Sequence, residues 1–172
     1  MQFFQEPTDN RRFSKLCPVQ GRGRVQTGSS LTKVVPGSKK GVGLSQGMFP
    51  SYSEIDPLLM ACAGIDTAIR GLIALGIPLE RIAILDNFCW CSSDEPERLG
   101  QLKLAARGCY DAATAFGTPF ISGKDSMYND FSGFDENNNP VKISVPPTLL
   151  ISSIGVHEDV SKAVTMDAKI DG

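Results

Sequence analysis

Two short segments carry residue types that could do chemistry together. Asp86-Asn87 follows the apolar run RIAIL at 81–85, and Gly123-Lys124-Asp125-Ser126 follows PFIS at 119–122. The set offers two carboxylates, an ammonium, a hydroxyl and a glycine whose missing side chain lets backbone N–H groups come close. That suits a phosphate and its counter-ion. It equally suits a strand-end turn that uses glycine, lysine and aspartate for solubility, and residue types alone do not separate the two. SGKDS is not a P-loop: five residues separate Gly117 from Gly123, and Asp125 stands where that motif needs a metal-binding hydroxyl. Cys89-Trp90-Cys91 has no second cysteine pair at metal spacing, so these thiols read as small hydrophobes. His157 is the one histidine; it reads as a surface residue, and a single histidine leaves little room for His-based catalysis.

The elements that must position these residues follow from hydrophobic spacing. Asp56-Pro57 opens a helix, aspartate as cap and proline in the first turn. Its stripe is Leu58, Leu59, Cys62, Ile65, Ile69, Leu72 and Ile73, and Gly76 with Pro78 ends it. Asp66 falls on the polar face. RIAIL is a strand buried on both faces. A second helix runs over 94–116, capped by Ser93 or Asp94, with the stripe Leu99, Leu102, Ala106, Cys109, Ala113 and Phe116, and Gly117 stops it. PFIS is a second buried strand. If the two strands are parallel, the helical crossover brings both C-terminal ends to one rim, where open sheets place ligands.

Elsewhere, LTKVV at 31–35 is a short strand ended by Pro36-Gly37. GVGLSQGMFP at 41–50 reads as a glycine-rich loop, mis-spaced for a dinucleotide fingerprint. DENNNP at 135–140 is a hairpin tip. A strand covers 148–154, and EDVSKAV at 158–164 is a short helix. Residues 1–30, with Arg11, Arg12, Arg22 and Arg24 and no apolar period, read as a loosely ordered lead-in to a domain over 31–172.

Composition bounds the class. The chain has 172 residues, 41% hydrophobic and 21% charged, enough for one domain with a core. Seventeen basic residues against nineteen acidic give no electrostatic reason to expect nucleic acid. No continuous apolar run reaches the ~18 residues of a membrane span. The N-terminus lacks the apolar region of a signal peptide, and five cysteines are an odd number for a disulfide framework, so the expected place is the cytoplasm with reduced thiols.

The segments ILDNFCWCSSDEPERLGQL and GTPFISGKDSMYNDF, with LTKVVPGSK, GVGLSQGMFPSYSEIDPLLMACAGIDTAIR and VPPTLLISSIG, resemble the second half of phosphoribosylformylglycinamidine synthase over about residues 31–169. The resemblance implies an α/β (α+β) domain of the aminoimidazole-ribonucleotide-synthetase-like superfamily, of its N-terminal type, with a mixed sheet and helices packed on one face. It implies a part in the ATP-dependent conversion of formylglycinamide ribonucleotide and glutamine-derived ammonia to formylglycinamidine ribonucleotide, in which ATP activates the formamide oxygen and ammonia displaces the phosphate. The implied partners are the first half of the synthetase, its C-terminal-type domains and a glutaminase subunit or domain, with pairing through the sheet. The family's catalytic histidine lies in the first half, so no catalytic residue falls in this chain, which by itself is expected to be inactive.

Carried over by position, Asp86 and Gly123 contact ATP and Ser126 contacts substrate. Lys124 replaces an asparagine that binds Mg²⁺ in relatives; a charged lysine cannot ligate a cation, and it becomes a candidate phosphate contact instead. Thr67 and Gly71 replace a glutamate and an asparagine that are metal ligands, i and i+4 on the first helix, in some members. Magnesium in this half is therefore in question. The alternative reading is a scaffold domain with a degenerate nucleotide site. A small-molecule kinase of the thiamine-monophosphate or selenophosphate type is a third, less well matched at the N-terminal motifs.

Overall fold

The computed structural model describes residues 17–18, 29–168 and 170; most of the lead-in expected over 1–30 lies outside these. Asp56 sits in extended backbone, and its carboxylate accepts from the N–H groups of Leu58 and Leu59 at 2.9 and 3.0 Å. With Pro57 next, that starts helix α1, Pro57–Ala74. The buried face is Met60, Ala61, Gly64, Ile65, Ala68, Ile69 and Leu72, rotated from the expected stripe: Leu59 and Ile73 are exposed. The rotation follows from small residues, since Ala61, Gly64 and Ala68 let the helix lie closer to its support than a leucine face would. α1 is long and apolar enough to cross a membrane by length and composition, although Asp66 and Arg70 interrupt any continuous run. Here it is the core helix, and those two residues form an ion pair at 2.6 Å on its outer side.

The support is a six-stranded mixed sheet of β1 (Cys17–Pro18), β2 (Ser30–Lys33), β3 (Gly41–Met48), β4 (Ile82–Cys89), β5 (Phe120–Ser126) and β8 (Thr148–His157), in the order β1-β2-β3-β8-β4-β5. Every pair is antiparallel except β4 with β5, which is parallel as its helical crossover requires. The crossover is α2, Pro96–Phe116, which packs on α1, and α1 packs on β3 and β8. Strands β6 (Phe131–Phe134) and β7 (Pro140–Ile143) form a separate hairpin, its tip turning at Asn138 with φ +62°. Ile82, Ile84 and Phe88 of β4 and Leu149 and Ile151 of β8 meet Ile65, Ile69 and Leu72 of α1 in one core.

The segment expected as a glycine-rich loop is strand β3. Its glycines explain both the misreading and the packing. Gly41, Gly43 and Gly47 alternate along the strand on the helix side, where a Cβ would overlap Val160, Ile77 and the carbonyl of Gly64 respectively. Glycine here makes room for packed neighbours, α1 itself at Gly47, rather than for a turn.

Other boundaries moved for local reasons. α2 begins two residues later than expected, without a side-chain cap. Asp94 instead accepts from the Tyr128 hydroxyl at 3.0 Å, and the Ser92 hydroxyl accepts from the Asp94 N–H at 3.3 Å. Leu99 and Ala106 of its expected stripe are exposed, and the buried residues are Ala105, Gly108, Cys109 and Ala112. At 158–164 there is only one 3-10 turn, Val160–Lys162. His157 is buried at the end of β8, its Nδ1 accepting from the Asp159 N–H at 3.2 Å. Cys91 is buried as a small hydrophobe, and Cys62, Cys89, Cys91 and Cys109 are all free thiols.

Candidate functional site

Both strands of the parallel pair run past the residues expected to lie beyond them. β4 continues through Asp86 and Asn87 to Cys89, and β5 through Gly123, Lys124 and Asp125 to Ser126. Asp86 and Gly123 are register partners, as are Asn87 and Lys124, and Cys89 and Ser126. The two segments therefore do meet, on the sheet itself rather than at a rim beyond it.

Strand alternation then sorts them. Ile82, Ile84 and Phe88 point into the helix-covered core, so Asp86 shares that face and Asn87 the opposite one. A register step sets the same order on β5: Ile84 pairs with Phe120, but Leu85 pairs with Ser122, leaving Ile121 as an extra residue. Gly123 and Asp125 thus lie on the helix face with Asp86. Ser122, Lys124 and Ser126 lie on the open face with Asn87.

On the helix face, Asp86 is half-buried and its Oδ1 accepts from the backbone N–H of Lys124 at 3.2 Å. A Cβ on Gly123 would sit 2.5 Å from that oxygen, so the glycine is what lets the carboxylate lie against β5. Burial pushes the Asp86 carboxyl above its ordinary value. The Lys124 N–H pulls it partly back, and the charge of Asp125 pushes with the burial. Cys109 of α2 faces the same region, and burial with the nearby Asp86 charge pushes its thiol up to about 12, so it is inert as a nucleophile.

A carboxyl raised in the folded state costs stability once ionised; the cost is present above its folded pKa and vanishes below its unfolded one. Asp86→Asn is therefore expected to raise the melting temperature at neutral pH, with the gap to wild type closing as pH falls through the carboxylate range. Melts across that range check it; a variant less stable at neutral pH would show that the bond to Lys124 outweighs the burial.

Ser126 on the open face donates its hydroxyl proton to Asn129 Oδ1 at 3.1 Å, while Asn129 Nδ2 donates to the Ser126 and Trp90 carbonyls at 2.8 and 3.0 Å. Asn129 is a neighbour that sequence reading passed over; an Asx residue three positions past a strand-end serine was its only signal.

The expected metal positions on α1 do not fit a cation. Thr67 is exposed on the outer side. Gly71 is seated against a buried hydroxyl pair, in which Ser29 Oγ donates to Ser45 Oγ at 2.9 Å; any Cβ there would overlap both hydroxyls and lie 2.9 Å from Ser45 Cβ. No group of three or more His, Cys, Asp or Glu side chains able to hold a metal occurs among the described residues. Asp66, the one carboxylate beside Thr67, is taken by Arg70.

The chain resembles phosphoribosylformylglycinamidine synthase subunit PurL from several organisms. It is 32% identical over 138 residues to the Deinococcus radiodurans protein and 32% over 155 residues to that of Methanothermobacter marburgensis, covering 80% and 90% of this chain. The chain is similar to one stretch of the phosphoribosylformylglycinamidine synthase subunits. It spans about a fifth of the length of these synthase subunits, 18% and 20% respectively. No protein-family model matches it. Among solved structures, the Thermotoga maritima synthase subunit complexed with ATP matches 82% of this chain and 22% of its own, with a TM-score of 0.66 and 18% identity. AaThiL complexed with AMPPCP and TMP matches 84% of this chain and 39% of its own, with a TM-score of 0.57 and 13% identity. These likenesses show the fold: a mixed-sheet α+β domain like the matched parts of the synthase subunit and of AaThiL.

Proposed function

We propose that this domain contributes nucleotide and substrate contacts to a formylglycinamidine ribonucleotide synthase, which joins formylglycinamide ribonucleotide to glutamine-derived ammonia with hydrolysis of ATP. The observation that carries the reading is the Asp86–Gly123 rung: a half-buried carboxylate and a glycine that makes room for it, adjacent across the parallel pair. The family resemblance implies ATP contacts at these two residues, and the reading is supported by Thermotoga maritima synthase subunits of this fold captured with ATP and with FGAR. Asp86 is acceptor-only when ionised, so it orients hydrogen-bond donors of the nucleotide. Ser126, its proton committed to Asn129, presents lone pairs and accepts from a substrate hydroxyl or amide. No step is assigned to magnesium in this half, because α1 lacks the donors.

The open face of the sheet bears Leu44, Met48 and Val156, exposed at 47, 51 and 37%, beside half-buried Leu85, Leu150 and Ile154. An apolar sheet face of this kind fits pairing with the sheet of a companion domain, the first half of the synthase in this reading. The remaining companions are the C-terminal-type domains and a glutaminase, in the cytoplasm. The blocked notch at Gly71 favours a second reading, a pairing scaffold whose nucleotide site has decayed.

Calorimetry with Mg-ATP separates the two. Micromolar binding that Asp86→Ala abolishes supports the nucleotide site; absence of heat supports the scaffold. On either reading, the chain with formylglycinamide ribonucleotide, ATP and ammonia is expected to form no product, and turnover by this chain alone would refute the assignment of catalysis to another part of the synthase.

A further inference from the structure

Helix α2 carries more apolar surface than its seat on α1 uses. Leu99, Leu102, Ala106, Cys109, Ala113 and Phe116 recur at alternating spacings of three and four, the seam of a helix that packs along another helix. α1 takes only one side of that seam. A Cβ on Gly108 would overlap the Leu58 carbonyl and lie 3.0 Å from the Ala61 Cβ, and Ala105, Cys109 and Ala112 are buried beside it. Leu102, Ala113 and Phe116 are half-buried against the same core.

The other side is left open. Leu99 is 50% and Tyr110 65% exposed, and Lys103 and Ala106 are exposed between them. Pro96, Leu99, Gly100, Leu102, Lys103 and Ala106 line one shallow groove there. Small residues keep it open: Ala106, and Gly100, which has nothing within 4 Å of its Cβ position. A second helix can therefore come to the usual interaxial distance of about 8–10 Å.

The charges say what kind of helix. Arg98 is held by Glu54, and Arg107 by Asp111. Lys103 has no carboxylate partner among the described residues. Its neighbours one turn away are Leu99, Gly100, Ala106 and Arg107, none acidic and one of like charge. Lys103 flanks the seam, at the position where paired helices exchange opposite charges. A second copy of α2 does not supply the missing acid. Laid antiparallel, it would set Lys103 against Lys103 or Tyr110; laid parallel, against Arg98 or Ala105.

We propose that the Leu99–Lys103–Ala106 groove of α2 docks an amphipathic α-helix of a different partner, one with an apolar seam and an acidic flank that sets a carboxylate on Lys103. The surface belongs to the helix layer, away from the open sheet face, and stands whether or not the nucleotide reading does.

The test uses the whole chain and two synthetic peptides of about 20 residues, long enough to form a helix on docking. Both carry the same leucine and alanine seam; the flanking positions are glutamate in one and lysine in the other. Binding is followed by the backbone amide shifts of α2. The glutamate peptide is expected to shift Leu99, Lys103 and Ala106 saturably and to bind about tenfold tighter than the lysine peptide at low salt, the gap narrowing as salt rises. Lys103→Glu is expected to reverse the preference and to melt no lower than wild type, because the side chain is exposed. Leu99→Asp is expected to remove binding of both peptides. Equal affinity for the two peptides, an unreversed preference in Lys103→Glu, or shifts centred on Leu44, Met48 and Val156 of the open sheet face overturns the proposal. So does the absence of saturable binding up to about 1 mM. Self-association of the chain alone that Leu99→Asp abolishes, read by sedimentation, would make a second copy the occupant and overturn it as well.

Discussion

Gly47→Val is expected to cost about 3 kcal/mol, the upper end of what overpacking a core costs. The reason is that the clash is backbone against backbone. A Cβ at position 47 would overlap the Gly64 carbonyl oxygen and lie 2.9 Å from its carbon and 3.0 Å from its Cα, so no rotamer change relieves it. The only escape is to lift α1 from β3, which opens the contact among Ile65, Ile69 and Leu72 that forms the core. For a chain of this size the shift in melting temperature is roughly 6–12 °C downward. Gly100→Ala is the control: nothing lies within 4 Å of its Cβ position, and glycine in a helix interior is about 1 kcal/mol worse than alanine, so that variant is expected to melt higher. If the valine variant melted with wild type, the close seating of α1 on β3 would be wrong, and with it the placement of every group on the helix face.

The second large effect concerns magnesium. Installing the donors that the resemblance implies, with Thr67→Glu and Gly71→Asn, is expected to lower stability by about 2 kcal/mol and to create no cation site. The asparagine would have to enter the space of the Ser29–Ser45 hydroxyl pair, whose buried oxygens then lose each other as partners. The glutamate alone, on the exposed side of α1, is expected to be tolerated. Binding of Mn²⁺ followed by electron paramagnetic resonance, alongside a thermal melt, reads both outcomes. Tight Mn²⁺ binding by the double variant with an unchanged melt would mean that the notch is adaptable and the ligand loss reversible. The expected result instead makes the loss structural: the Gly71 position is here part of the packing of α1 against Ser29 and Ser45.

Local chemistry was enough for several elements. The Asp56-Pro57 start of α1, the stop at Gly117 with φ +68° and the hairpin tip at 135–140 all follow from caps, turn residues and apolar runs close together in the chain, whereas the parallel pairing of β4 with β5 was only a condition until the register was seen. The family likeness, too, is a property of the letters. Three things were decided only in three dimensions. The alternate glycines of 41–48 signal a loop until the neighbours they accommodate are known, because a missing side chain reads the same whether it permits a turn or a close contact. The rotation of α1 away from its leucines depends on what its small residues touch. And the faces of the candidate site turn on one extra residue at Ile121. The side-chain period of a strand is two, so a single unpaired residue decides which of Gly123 and Lys124 stands beside Asp86, and no spacing along one strand records the register of its neighbour.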